Sequence, residues 1–103
     1  MATVTTSVAA DINWLLDYLF RAWDSVEEVA AEWDEWGRDS RIDFLSDWPI
    51  KDDKLASLED HIERGDLTAA QAQRHAELLQ LIASLQPAVE HMFATADDGP
   101  PGP

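Results

Sequence analysis

Between Val8 and Trp36 the apolar residues keep one heptad register: Ile12, Leu19, Val26 and Trp33 form one column, and Val8, Leu15, Ala22, Val29 and Trp36 form the other. That spacing predicts an amphipathic helix over 8–36, roughly 43 Å long at 1.5 Å of rise per residue, with Gly37 as its C-terminal stop. Ser25 and Glu28 have the form of a capping box that would divide the helix near Asp24. The register passes Ser25 without a slip, so one continuous helix is the simpler reading. A third column, Leu16, Phe20, Trp23 and Ala30, widens the apolar arc beyond what a two-stranded seam needs and places this helix centrally in a bundle.

The rest of the chain reads as helix too. Ile42, Phe44, Leu45 and Trp48 suggest a short helix at 41–48, with Asp39 or Ser40 as its cap and Pro49 as its stop. Asp52 or Asp53 can cap a further helix carrying Leu55, Leu58 and Ile62 and ended by Gly65. Thr68 and Gln71 form a capping box that opens a long helix with His75, Leu78, Ile82, Leu85, Val89 and Met92 on one face. Pro87 inside it predicts a kink near Ala83 to Pro87. From Thr95 the text ATADDGPPGP has no periodic apolar residue, so 95–103 is expected to be a disordered acidic, Pro- and Gly-rich tail. A chain of 103 residues has room for one small domain, here 1–94. The expected fold is all-α: a three- or four-helix bundle whose two long helices, first and last, pack antiparallel around a short helical connector.

Charge narrows the function classes. Asp and Glu number 21 against 7 Lys and Arg, a formal net charge of −14. Nucleic-acid binders neutralise phosphates with cationic clusters that this chain lacks, and anionic membrane surfaces are disfavoured for the same reason. No apolar run approaches the roughly 18 residues of a membrane span, and the text MATVTTSVAADINW lacks a basic region followed by an apolar stretch. A cytoplasmic location is the resulting expectation. The absence of cysteine removes disulfides, thiolate metal sites and cysteine nucleophiles.

Catalytic and metal motifs are equally sparse. His61, His75 and His91 share no helical turn, and none has a Glu three residues before it, so no metal site is expected. The glycines at 37, 65, 99 and 102 suit helix ends and the tail rather than a phosphate loop. Nucleophile-elbow, HExxH and calcium-loop patterns are missing. The expectation is a non-enzymatic protein with no cofactor.

The five tryptophans carry the remaining signal. Trp23, Trp33 and Trp36 lie on the apolar columns and belong to the core by phase. Trp14 and Tyr18, four residues apart, lie together off both columns; they serve either a wide core or an exposed patch that anchors a partner. Asp24, Glu27, Glu28, Glu32, Asp34, Glu35, Asp39, Asp43 and Asp47 cluster in one half of the chain against only Arg38 and Arg41. So unbalanced a field is relieved by a basic partner, with carboxylates steering the encounter and aromatics holding the complex. Trp14, Tyr18, Asp24, Glu28, Glu32, Glu35, Trp36 and Asp39 are therefore the candidate partner-binding residues.

The segment LEDHIERGDLTAAQAQRHAELLQLI resembles the helix, Gly turn, Leu-Thr-x-x-Gln helix hairpins of small bacterial regulatory and antitoxin proteins. The likeness lies in capping chemistry and assigns no residue a role. Together these features favour a module that masks or adapts a basic partner protein such as a nuclease, in the manner of a bacterial or phage antitoxin or immunity protein. One alternative is a phage-type mimic of nucleic acid whose carboxylates imitate phosphates and block a DNA- or RNA-binding protein. Another is a homo-oligomeric scaffold in which the helix 1 stripe pairs with a second copy.

Overall fold

A computed structural model describes residues 2–99, with side chains from Val8 onward. All regular structure in that range is helical. Helix α1 (Ala2–Glu32) passes into a 3-10 turn (Trp33–Glu35), followed by α2 (Arg38–Ser46), α3 (Trp48–Glu63), α4 (Ala69–Ala94) and a second 3-10 turn (Ala96–Asp98). The class is the expected all-α bundle, stretched to 56 × 22 × 18 Å by its two long helices.

Helix α1 is continuous through Ser25, as its register required. Its columns become the core: Ile12, Leu16, Leu19 and Val26 are fully buried, and Leu15 and Trp23 nearly so. They meet Leu58 from α3 and Leu78, Leu85 and Val89 from α4 in one cluster. Each such side chain contributes about 1.5–3 kcal/mol on leaving water. The stripe proposed for pairing with a second copy is thus spent on α3 and α4 within the chain.

The direction of the last helix departs from expectation. Gln71 Nε2, near the start of α4, donates to Ala9 O (3.2 Å) and Asn13 Oδ1 (3.0 Å), near the start of α1. Arg74 pairs with Asp17 at 2.8 Å, and at the far ends Trp33 Nε1 donates to Thr95 Oγ1 at 2.9 Å. Helices α1 and α4 are therefore parallel, not antiparallel. The cause is topological: α2 and α3 meet at Asp47 and together make one return pass, leaving α4 to travel with α1. On that return, Trp48 meets Trp23 edge-on at 5.4 Å and Lys54 Nζ lies 5.2 Å from the Trp14 ring.

Several boundaries also shift. Helix α1 ends at Glu32, and Gly37, in extended backbone at φ −71° and ψ 160°, stands before α2 instead of closing α1. Pro49 starts a helix rather than stopping one, because at the first turn of α3 its missing N–H costs no helical bond. Asp52 and Asp53 accordingly lie inside α3 and cap nothing. Helix α4 continues through Pro87, whose surroundings at Ala83 and Gln86 are open to water.

Both turn signals in the middle of the chain hold. Gly65 has φ 74°, the left-handed conformation that ends a helix; its N–H bonds Ile62 O while Asp66 N–H reaches back to His61 O. Where such turns commonly add an apolar contact, the His61 ring faces Asp66 Oδ2 at 3.0 Å. Thr68 and Gln71 satisfy each other's backbone N–H groups, at 2.9 and 3.1 Å.

The expected disordered tail is corrected over 95–99. Residues Thr95 to Gly99 dock on the end of the bundle, Ala96 packing against a second apolar cluster of Trp33, Leu45 and Met92. The polar groups of Trp33 and Arg41 find their partners in Thr95, an attachment that local periodicity does not encode. Residues 100–103 of the tail lie outside the described range. We call this the closed end, and the opposite one, with the Gly65 turn, the hairpin end.

Candidate functional site

Helix α1 shows water one row of carboxylates. Asp24, Glu28 and Glu32 follow at intervals of four residues, which aligns them on one helical face with roughly 6 Å of rise between neighbours. All three are exposed. Like charges at this spacing weaken an isolated helix by about 0.2–0.5 kcal/mol per pair, so burial of the opposite face must outweigh the row. Past the end of α1, Glu35 and Asp39 continue the acidic surface, also exposed. None of these five makes an ion pair among the described residues.

What sharpens this field is where the nearby cations go. Arg41 is 5% exposed and its guanidinium is held inside the bundle, while Lys51, 8% exposed, has most of its side chain covered. Arg41 sits between the ends of the two long helices: Nη2 donates to Trp33 O at 2.7 Å and Nη1 to Thr95 O at 2.8 Å, with the guanidinium 4.9 Å from the Trp33 ring centre. Lys51 Nζ stands 4.5 Å from the Trp48 ring and 5.2 Å from that of Phe44. Burial pushes the Lys51 pKa down, against the pull of Asp47 and Asp52. Arg38 remains exposed and faces Asp97 at 3.8 Å. At the hairpin end, by contrast, the hydrogen bond from His61, aided by Arg64, holds the Asp66 carboxyl below its usual range.

The aromatic candidates separate. Trp14 is 52% exposed and stacks on Tyr18 with centroids 5.6 Å apart; Tyr18 itself is half-buried against the central cluster. Trp36 is half-buried, stacked on Trp33 at 6.3 Å and edge-on to Phe44 at 5.8 Å. Trp36 therefore belongs to the acidic end with Glu35 and Asp39. The pair Trp14 and Tyr18 lies ten and six residues before Asp24, roughly 15 and 9 Å along the axis. The eight candidates thus form a strip along α1 and around its corner, not one compact patch. Between the aromatic pair and the acidic row, Tyr18, Arg21, Ala22 and Ser25 line a shallow, open depression.

Sequence reasoning missed part of this surface. Ile42, Ile50 and Phe93 are 41–49% exposed, and Phe93 meets Trp48 edge-on at 5.1 Å. Asp52, Asp53, Asp97 and Asp98 add further exposed carboxylates. The burial of Arg41 and Lys51 had a signal: Arg41 precedes Leu45 by four residues, and Lys51 stands three after Trp48 and four before Leu55, so each shares an apolar face. Among the described residues no three His, Asp or Glu side chains gather as metal ligands, and no helix is long and apolar enough to cross a membrane. The chain matches no protein-family model, no curated protein and no solved structure.

Proposed function

We propose that this protein is a non-enzymatic binding module that masks or adapts a basic partner protein, as antitoxins and immunity proteins do. The observation that carries this reading is the charge segregation of the closed end: Asp24, Glu28, Glu32, Glu35 and Asp39 face water while Arg41 is withdrawn from it and the Lys51 side chain is largely covered. A surface so arranged attracts cationic proteins over a Debye length and orients them. Trp36 at the corner, with Trp14 and Tyr18 further along α1, supplies aromatic area for the contact that follows.

The test is kinetic. The tagged protein is used to capture a basic partner from cells that make it, and association with the purified partner is then followed at low and high salt. Glu28→Lys combined with Glu32→Lys should slow association several-fold at low salt and much less at high salt. Equal slowing at both salts would remove the steering role from this row.

A second reading rests on the regular spacing of Asp24, Glu28 and Glu32, which suits a mimic of nucleic acid. Duplex DNA would then compete with the protein for the partner, whereas a partner engaged through the aromatic residues would hold both.

A further inference from the structure

Helix α2 has little of its own to hold it in place. It spans nine residues, below the roughly 12–15 at which an isolated helix becomes even marginally stable in water. Gly37 before it offers no side-chain cap, and within α2 only Arg41 and Leu45 are buried. Most of its backbone neighbours belong to the C-terminal turn, not to α1 or α3.

That turn is fastened by specific contacts. Thr95 Oγ1 accepts from Trp33 Nε1 at 2.9 Å and donates to His91 O at 2.7 Å, while Thr95 O accepts from Arg41 at 2.8 Å. Gly99 lies so close over α2 that a Cβ there would stand 2.8 Å from Arg38 N and 3.1 Å from Arg41 Cδ. Only a residue without a side chain permits this approach. The fastening also has a built-in weakness, because Arg41 Nε is buried with no hydrogen-bond partner among the described residues. If Thr95 O withdraws, Nη1 loses its acceptor as well and only Nη2 stays bonded, to Trp33 O at 2.7 Å, so the guanidinium gains hydrogen bonds by turning to water and loosening α2.

We propose that the segment 95–99 is a latch. Closed, it holds α2 against the ends of α1 and α4; open, it releases α2 and the corner at Trp36 and Gly37 while α1, α3 and α4 stay packed. Opening brings the Arg41 guanidinium and the Trp33 indole N–H to the surface of the acidic end. The inference stands on contacts within the chain and is tested without a partner.

Amide hydrogen exchange on the full-length protein reads the latch directly, through the α2 amides at 41–46. Gly99→Val drives a side chain into the Arg38 backbone, Thr95→Val removes only the hydroxyl, and Asp98→Ala alters an exposed neighbour as a control. In Gly99→Val, exchange across α2 should quicken about tenfold or more, with 12–26 of α1 and 75–90 of α4 unchanged. Thr95→Val should give a smaller acceleration at the same amides. Acceleration confined to α2 in either variant supports the latch. If neither variant shows it, whether α2 stays protected or α1 and α4 loosen with it, the latch is overturned and the closed end is part of one cooperative unit.

Discussion

The central seam and the closed end are both buried, yet they are held by different physics. In the seam, Ile12, Leu16, Leu19, Val26, Leu58 and Leu78 lose all contact with water and ask nothing of their neighbours except shape. At the closed end Trp33 and Met92 are as well hidden, but Arg41 is buried beside them, and the segment is joined by directional bonds to Thr95 and to Trp33 O. Apolar packing tolerates small shifts, whereas a buried guanidinium whose acceptor moves away is left with an unpaid desolvation cost. The seam should therefore set whether the chain folds, and the closed end should set the conformation of its acidic terminus.

The sharpest way to break that contrast is Leu19→Ala, which leaves a cavity between α1, α3 and α4. It should cost about 3 kcal/mol in urea unfolding, lowering the midpoint of the whole transition. A loss below about 1 kcal/mol would mean that the seam relaxes as readily as the closed end, and the distinction would fail.

Lys51→Met probes the polar side of the comparison. Desolvation is relieved and the attraction to Trp48, Phe44, Asp47 and Asp52 forfeited, so with solvent screening a small net gain, within about 0.5 kcal/mol, is expected near neutral pH. Because burial lowers the Lys51 pKa, the unfolded chain binds its proton more tightly than the folded one. Stability of the natural protein then rises with pH between that lowered value and 10.5, and the advantage of the variant shrinks over the same window. Parallel pH profiles for the two proteins would show that Lys51 is not penalised by burial.

The smallest effect belongs to Trp14, which lies in neither region's core. With half its surface already wet, Trp14→Ala should cost about 1 kcal/mol or less, mostly its stacking on Tyr18. A loss approaching that of Leu19→Ala would return Trp14 to the seam and remove it from the proposed partner-binding strip.

The same contrast explains what could be read in advance. The seam is written in local period: the columns through Ile12, Leu15, Leu19 and Val26 name their own buried faces. Gly65, Thr68 and Gln71 announce turns through chemistry confined to a few neighbours. Periodicity says which side of a helix is covered, but not in which sense a helix runs, so the pairing of α1 with α4 came out reversed. Pro49 is ambiguous by nature, since one ring both ends a helix and begins the next. The closed end depends on bonds between residues 54 and 62 positions apart, and on a glycine whose necessity is visible only once α2 lies beneath it. For the candidate strip, the carboxylates and the off-stripe position of Trp14 were legible. The covering of Arg41 and Lys51 runs against the general preference of charged side chains for the surface and shows in the sequence only as a shared apolar face.

The parallel run of α1 and α4 has an electrical consequence. In an antiparallel pair the peptide dipoles largely cancel, but here both long helices direct their negative, C-terminal ends toward the same pole, each equivalent to roughly half an elementary charge. The exposed carboxylates of Asp24 to Asp39 lie toward that pole too, and α3, the shorter helix, opposes the pair only in part. A cationic object approaching this rod exerts a torque on it as well as an attraction. Along a body 56 Å in length, that torque turns the negative pole toward a cation before the two surfaces touch, so the backbone itself helps choose which end arrives first.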